Sequence, residues 1–165
     1  ERSQRDIMSG LYNRAVTEEL MKNKLCEMKK NETFAFYMID IDQFKEINDE
    51  YGHLIGDKLI LKISNMLKQK FDSKAIIGRL GGDEFAVLSM TEDSEEKAIM
   101  KAEDILKATR ELNKTMNIKL KITTSVGIAL APRDGKAFKT LFMNADKAMY
   151  KAKNAGKDCY KVYQN

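Results

Sequence analysis

Two short apolar runs that flank a glycine pair in the middle of the chain constrain the fold most strongly. The runs, at 75–80 and 84–90, are predicted strands, and Gly81, Gly82 and Asp83 lie between them. Two strands joined by a glycine-rich turn form an antiparallel hairpin. A purely parallel, doubly wound sheet has no place for such a hairpin, so the sequence predicts a mixed sheet with helices packed on it.

The rest of the chain alternates between helices and strands. Apolar residues at helical spacing predict five helices, at residues 13–30, 43–50, from about 54 onward, 94–112 and 136–153. Continuous apolar runs or strict alternation predict three more strands, at residues 34–41, 118–130 and 158–163. With the hairpin included, the order is α-β-α-α-β-β-α-β-α-β, which is an α/β chain of the α+β kind.

The scarce residue types exclude several kinds of chemistry. His53 is the only histidine, and Cys26 and Cys159 are the only cysteines, so an ordinary structural zinc cluster or a disulfide framework cannot be assembled. A serine or cysteine nucleophile would have to use His53, which has no nucleophile motif nearby. The net charge of +4 favours anionic partners only weakly, because a lysine-rich surface explains it equally well. Carboxylates, lysines and a hard metal ion remain as chemical tools.

Acidic residues stand at the ends of two predicted strands. Asp40 and Asp42 follow one apolar run, and Asp83 and Glu84 stand at the tip of the hairpin. If the two strands are neighbours, Asp40 and Asp83 converge across the ~5 Å spacing of a sheet. Converging carboxylates repel unless a cation lies between them, and Mg²⁺ binds one or two carboxylates together with waters and phosphates. Either acidic pair alone is also explained by a charged strand end or a polar turn.

Four ordered motifs make the sequence resemble the GGDEF domain of diguanylate cyclases. The signature pentapeptide GGDEF occupies residues 81–85, and the long motif DIDQFKEINDEYGHLIGD precedes it at residues 40–57. The opening motif DIMSGLYNR at 6–14 and the closing motif ADKAMYKAKNAGK at 145–157 are also similar to those of the family. Four motifs in family order and at family spacing are far more specific than the pentapeptide alone.

The resemblance implies a mixed five-stranded sheet with a central hairpin, surrounded by helices and related to the polymerase palm and to adenylyl cyclases. Residues 12–165 would form the catalytic domain, and residues 1–11 would connect it to an upstream sensory or dimerising region missing from this sequence. The longest purely apolar run, at 34–39, is far shorter than the ~20 residues needed to cross a bilayer. The resemblance implies a cytoplasmic domain with no direct membrane contact and no nucleic-acid polymer as partner.

The activity that the resemblance implies is the condensation of two GTP molecules into cyclic di-GMP, with release of two pyrophosphates. Each subunit of a transient homodimer would hold one GTP and two Mg²⁺ ions, which Mn²⁺ can replace. The implied metal ligands are Asp40, Asp83, Glu84 and the backbone carbonyl of Ile41. Asp83 and Glu84 are also the implied catalytic residues, with Asp83 as the base for the 3′-hydroxyl. A carboxylate on Mg²⁺ is a poor base because the cation lowers its pKa, so we weight the metal role of Asp83 above its base role.

Asn48 and Asp57 are the residues that the resemblance assigns to guanine. An amide offers both a donor and an acceptor, and a carboxylate accepts from the N1–H and the exocyclic amine of guanine. The other implied contacts to GTP are Phe44, Lys45, His53, Gly81, Gly82, Lys153 and Lys157. Taken singly, each lysine is equally well a solvated surface residue, and Asp57 also suits the start of a helix.

The sequence departs from the family pattern at two places. Many relatives carry an Arg-x-x-Asp product-inhibition motif before the signature, and Asp72 and Ala75 occupy the corresponding positions here. We therefore expect no product feedback through that site. Lys157 stands where the family usually has arginine, and a lysine cannot form a two-pronged contact with phosphate.

Two other functions fit the same motifs. One is a catalytically silent GTP-binding module that acts as a sensor or binds a partner. The other is a cyclase with a mixed guanine–adenine product. The intact signature at 81–85 argues against the first, and Asp57 argues against the second.

Overall fold

β1 (Phe34–Ile41) is the central strand of a five-stranded sheet in the computed structural model, which describes residues 3–165. The strand order across the sheet is β2-β3-β1-β4-β5. The other four strands are β2 (Ile76–Gly81), β3 (Glu84–Ser89), β4 (Thr124–Ala131) and β5 (Cys159–Val162). β4 and β5 are parallel, and the remaining neighbours are antiparallel. The predicted mixed five-stranded sheet is therefore confirmed, and the β2–β3 hairpin lies at one side of it and not at its centre.

Helices cover both faces of this sheet, so every residue of β1 is buried. The helices are α1 (Arg14–Cys26), α2 (Phe44–Tyr51), α3 (His53–Lys70), α4 (Glu95–Glu111), α5 (Asn113–Met116) and α6 (Phe138–Asn154). Tyr37 and Ile39 point into one core and Phe36 and Met38 into the other, because successive side chains of a strand alternate. In residues 3–165, no helix is both long enough and apolar enough to cross a membrane.

The strand predicted over residues 118–130 is wrong in its first half. β4 begins only at Thr124, which pairs with Ile41, the last residue of β1. After Ile41 the chain leaves the sheet to form α2, so the residues before Thr124 have no partner in β1. The segment just before β4 is held by the side chain of Asn113 instead of by a partner strand. Asn113 Nδ2 donates to Leu120 O at 2.8 Å, and Asn113 Oδ1 accepts from Ile122 N at 2.7 Å. Alternation could not show that a partner strand is missing for residues 118–123, nor that both faces of β4 are buried.

Part of the predicted connector packs against the domain. Leu11 is buried in the core, and the backbone of Tyr12 pairs with Gly78 in β2. Residues 1 and 2 of the connector lie outside the described residues. The link to an upstream region stays a prediction. Asn13 caps α1, since its Oδ1 accepts from Val16 N at 3.0 Å.

Candidate active site

The two acidic segments lie at the same edge of the sheet. In the β1–β3 ladder, Asp40 stands opposite Glu84, and Ile41 N donates to Asp83 O at 3.1 Å. The prediction that these strands are neighbours is therefore confirmed. Residues directly opposite each other in a ladder share a face of the sheet, so Glu84 is the closer cross-strand neighbour of Asp40, and Asp83 lies one position further along, beside Ile41.

Asp40 is a buried carboxylate with only one of its two oxygens paired. Its side chain faces α6, where the ammonium group of Lys153 contacts Oδ2. Its Oδ1 is buried and has no hydrogen-bond partner. Asp40 therefore has one free acceptor that points into the protein.

The tip of the β2–β3 hairpin is open and depends on its glycines for conformation. Gly81 has a φ of +143° and Gly82 a φ of +50°, and no atom lies within 4 Å of where a Cβ would stand on either residue. These glycines therefore serve the backbone path rather than close packing. Arg79 braces the tip: its Nη2 donates to Gly82 O at 2.7 Å, and its Nη1 pairs with Asp6 at 3.0 Å.

The electrostatics of this edge disfavour further negative charge. Burial raises the pKa of Asp83 and outweighs the lowering by a hydrogen bond from its own backbone and by the charge of Arg79, and the charge of Asp42 makes a smaller contribution that also raises it. Burial also raises the pKa of Glu84, and the charges of Asp83 and Asp146 act in the same direction. A cation at this edge would relieve both effects.

The acidic residues of this site suit a metal ion whose remaining ligands are waters and substrate phosphates. Within residues 3–165, no three His, Cys, Asp or Glu side chains are grouped so as to hold a metal by themselves. Mg²⁺ does not require such a group, since one or two carboxylates with waters and substrate phosphates suffice. The free Oδ1 of Asp40, with Glu84 on the neighbouring strand and Asp83 in the turn before it, matches that donor set.

A second free acceptor lies between α2 and α3. Asn48 Oδ1 is buried and has no hydrogen-bond partner. The next helix leaves room for it through Gly56, where a Cβ would lie only 1.8 Å from that oxygen. Asp57 follows Gly56 on α3 and is half-buried. Sequence reasoning missed Gly56, although a glycine inside a predicted helix is a recognisable signal of close packing.

The structure leaves several predicted site residues exposed. Lys45 forms an ion pair with Asp49 at 3.1 Å, and both side chains are largely in solvent. His53 is exposed at the first position of α3, and Lys157 is exposed just after α6. Phe44 is half-buried and packs against the core near Gly56. Of the predicted phosphate-binding lysines, Lys153 is the one that contacts another predicted site residue.

Comparison with known proteins decides the family. The family model described as "Diguanylate cyclase, GGDEF domain" matches residues 3–159. The chain belongs to the GGDEF domain family.

Curated relatives of this GGDEF domain are much longer proteins. The probable diguanylate cyclase DgcC of Escherichia coli is 36% identical over 159 residues, which are 94% of this chain and 42% of DgcC. The bifunctional diguanylate cyclase/cyclic di-GMP phosphodiesterase MucR of Pseudomonas aeruginosa is 32% identical over 161 residues, which are 97% of this chain and 23% of MucR. The chain therefore spans less than half the length of these relatives.

A solved structure supports the same fold. The GGDEF domain of PA1120 (TpbB or YfiN) from Pseudomonas aeruginosa has a TM-score of 0.88 and 31% identity, covering 97% of this chain and 94% of that one. The mixed five-stranded sheet surrounded by helices is thus the fold of a GGDEF domain.

Proposed function

We propose that this GGDEF domain is a Mg²⁺-dependent diguanylate cyclase that condenses two GTP molecules into cyclic di-GMP and two pyrophosphates. One observation carries the proposal: among the described residues, only two buried side-chain polar atoms lack a hydrogen-bond partner, and they are Asp40 Oδ1 and Asn48 Oδ1. Folded proteins rarely leave such atoms unpaired, and an exception indicates an ion or a ligand. The first belongs to a residue that we propose as a metal ligand, and the second to a residue that we propose as a guanine contact.

The metal end of the site would be held by Asp40, Asp83, Glu84 and the backbone carbonyl of Ile41. Bound Mg²⁺ supplies positive charge for the reacting phosphate and for the attacking and leaving oxygens. Lys153 neutralises Asp40 in the structure, and its flexible side chain allows the ammonium group to turn towards a phosphate instead. A bound cation would lower the pKa of Asp83 and weaken it as a base, so we weight its role as a metal ligand above its role as base for the 3′-hydroxyl.

The guanine end would be formed by Asn48 and Asp57. Asn48 Oδ1 has no partner within the protein and accepts from a guanine N–H. The carboxylate of Asp57 accepts from the N1–H and the exocyclic amine. Adenine lacks a matching pair of donors, so we expect ATP to be excluded and the mixed product to be absent. Lys45, His53, Phe44, Gly81, Gly82 and Lys157 would line the path of the ribose and triphosphate.

A second subunit is required because one domain presents one GTP. The exposed hairpin tip leaves space for the GTP of a partner domain to approach Asp83. We propose a transient homodimer in the cytoplasm, assembled by an upstream sensory or dimerising region of a longer chain. The activity per domain should then rise with protein concentration. A specific activity that stays constant down to nanomolar protein would contradict transient dimerisation.

Product feedback is not expected at the position where relatives carry an arginine. Asp72 presents a carboxylate there, and its Oδ1 accepts from Lys74 N at 2.7 Å. A carboxylate repels the phosphates of cyclic di-GMP. Tight binding of cyclic di-GMP outside the active site of an Asp83→Ala variant would contradict this expectation.

A single assay tests the proposed reaction. The purified protein is incubated with GTP, ATP and Mg²⁺, with an EDTA-treated sample as control, and the nucleotides are separated by chromatography. The proposal predicts cyclic di-GMP and pyrophosphate only in the sample with Mg²⁺. GTP that is bound but unconverted would indicate the silent GTP-binding module, and a mixed dinucleotide would indicate the altered product. A protein that neither binds nor converts GTP would overturn the proposal.

A further inference from the structure

Asp42 is as buried as Asp40, but its carboxylate is fully hydrogen-bonded. Each side chain belongs to a residue that is 3% exposed. Oδ1 of Asp42 accepts from Ser125 Oγ at 2.6 Å, and Oδ2 accepts from Thr123 Oγ1 at 2.8 Å and from Asp158 N at 3.0 Å. This carboxylate therefore ties the end of β1 to the start of β4 and to the segment between α6 and β5.

That last segment has an unusual backbone. Gly156, Lys157 and Asp158 have φ values of +110°, +66° and +50°. Residues other than glycine adopt this left-handed conformation only at a cost in free energy. Such conformations persist where the surrounding structure holds them, and they concentrate at functional sites.

Hydrogen bonds from three different elements hold this turn. Lys157 N donates to Ala152 O at 3.1 Å, which attaches the turn to α6. Arg110 Nε donates to the Asp158 carboxylate at 2.9 Å, which attaches it to α4. The bond from Asp158 N to Asp42 attaches it to the end of β1, next to Asp40.

The turn carries Lys157 close to Lys153. Lys157 N lies 3.1 Å from Ala152 O in the last turn of α6, so Lys157 and Lys153 stand at the same end of that helix. Lys153 in turn contacts Asp40. Two cations held together beside the end of β1 form a site for a polyanion such as a triphosphate.

We propose that Asp42 is a positioning residue for triphosphate binding, because it holds the turn at 156–158 and so directs Lys157 towards the phosphates. The inference rests on the proposed function, in which Lys153 and Lys157 contact GTP. It assigns Asp42 to substrate binding through Lys157 and not to the metal, since both of its oxygens already accept hydrogen bonds.

The test compares a ligand that has phosphates with one that does not. The ligands are 3′-deoxy-GTP with Mg²⁺, which lacks the attacking hydroxyl and is not consumed, and guanosine. In Asp42→Ala, we expect the affinity for 3′-deoxy-GTP to fall about tenfold and the affinity for guanosine to stay unchanged. A tenfold loss corresponds to the loss of one hydrogen bond to a charged group. Asp42→Asn should restore most of the loss, because its amide oxygen still accepts from Asp158 N and its amide nitrogen donates to Ser125 Oγ.

A double-mutant cycle shows whether Asp42 acts through Lys157. Lys157→Met alone should weaken 3′-deoxy-GTP binding to a similar extent, and adding Asp42→Ala should weaken it no further. The matched control is Asp134→Ala, which removes another buried carboxylate whose Oδ2 accepts from Leu130 N at 2.8 Å. This control should lower stability without changing the ratio of the two affinities.

Each other outcome overturns the inference. Equal losses of affinity for both ligands, or additive losses in the double variant, would show that Asp42 is only structural. If Asp42→Ala does not fold, Arg110→Met releases the same turn from an exposed position and should lower the affinity ratio. An unchanged ratio in that variant would contradict the inference. A wild-type domain that binds 3′-deoxy-GTP no better than guanosine would overturn the proposed function itself, and the inference with it.

Discussion

The end of β1 and the tip of the β2–β3 hairpin lie side by side but are built in opposite ways. At the end of β1, the buried Asp40 and Asp42 are held by the strand ladders and by contacts to α6 and β4. At the hairpin tip, Gly81 and Gly82 are exposed and have open space around them. The end of β1, which we call the rigid side, determines where negative charge is placed. The hairpin tip, which we call the open side, determines how closely a substrate can approach. The homodimer proposed above would need both.

The largest effect is expected from Asp40→Asn, which tests the rigid side directly. Removing this carboxylate should lower cyclase activity by about 100-fold or more, since it removes charge that the metal needs. The melting temperature should change little, because one of several crowded acids is neutralised and Lys153 is partly solvated. Asp134→Asn serves as the control for a buried carboxylate away from the site. Loss of cooperative melting in Asp40→Asn would show that Asp40 is structural.

The open side is tested by placing alanine at each glycine of the tip. The φ of Gly81, +143°, is hardly accessible to alanine and should cost about 1–3 kcal/mol, whereas the φ of Gly82, +50°, should cost about 1–2 kcal/mol. We expect Gly81→Ala to reduce activity about tenfold and Gly82→Ala to reduce it less. Activity assays and thermal melts of both variants check this. The opposite order would mean that side-chain space, and not backbone conformation, limits the tip.

Arg79→Met removes the brace between the open side and the N-terminal segment. It breaks the contacts of Arg79 to Gly82 O and to Asp6, so we expect a several-fold loss of activity and about 1–2 kcal/mol of stability. Asp6→Asn weakens the ion pair but leaves the contact to Gly82, and it should lower activity less. Equal activities in the two variants would show that the contact to the tip is unimportant. Chemical denaturation and steady-state rates provide the measurements.

The smallest effect is a gain of stability in Lys157→Gly. The φ of Lys157, +66°, suits glycine, so this variant should be more stable by about 1 kcal/mol, or by roughly 2–4 °C in melting temperature. Its affinity for GTP should fall, since the cation is lost. Lys151→Gly, within α6, is the matched control and should be less stable by about 1 kcal/mol. A Lys157→Gly variant that is also less stable would mean that the turn is not strained.

Local patterns were sufficient for much of the fold. Helical spacing predicted α4 and α6 closely, and the glycine pair predicted the β2–β3 hairpin. The strand predicted over residues 118–130 started too early. It can pair only as far as β1 extends, and β1 ends about 80 positions away along the chain. The short α5 was not predicted, since four residues are too few to show helical periodicity.

The sequence by itself determined the class of the sheet, the family motifs and the types of residue available for chemistry, because these depend on local order and spacing. The family resemblance singled out Asp40 and not Asp42, but only the tertiary structure showed the physical difference between these two carboxylates. The donors that satisfy Asp42 come from Thr123, Ser125 and Asp158, 81 to 116 positions away in the chain. Whether a buried carboxylate is left free to bind a ligand depends on such distant partners, and folding alone brings them together.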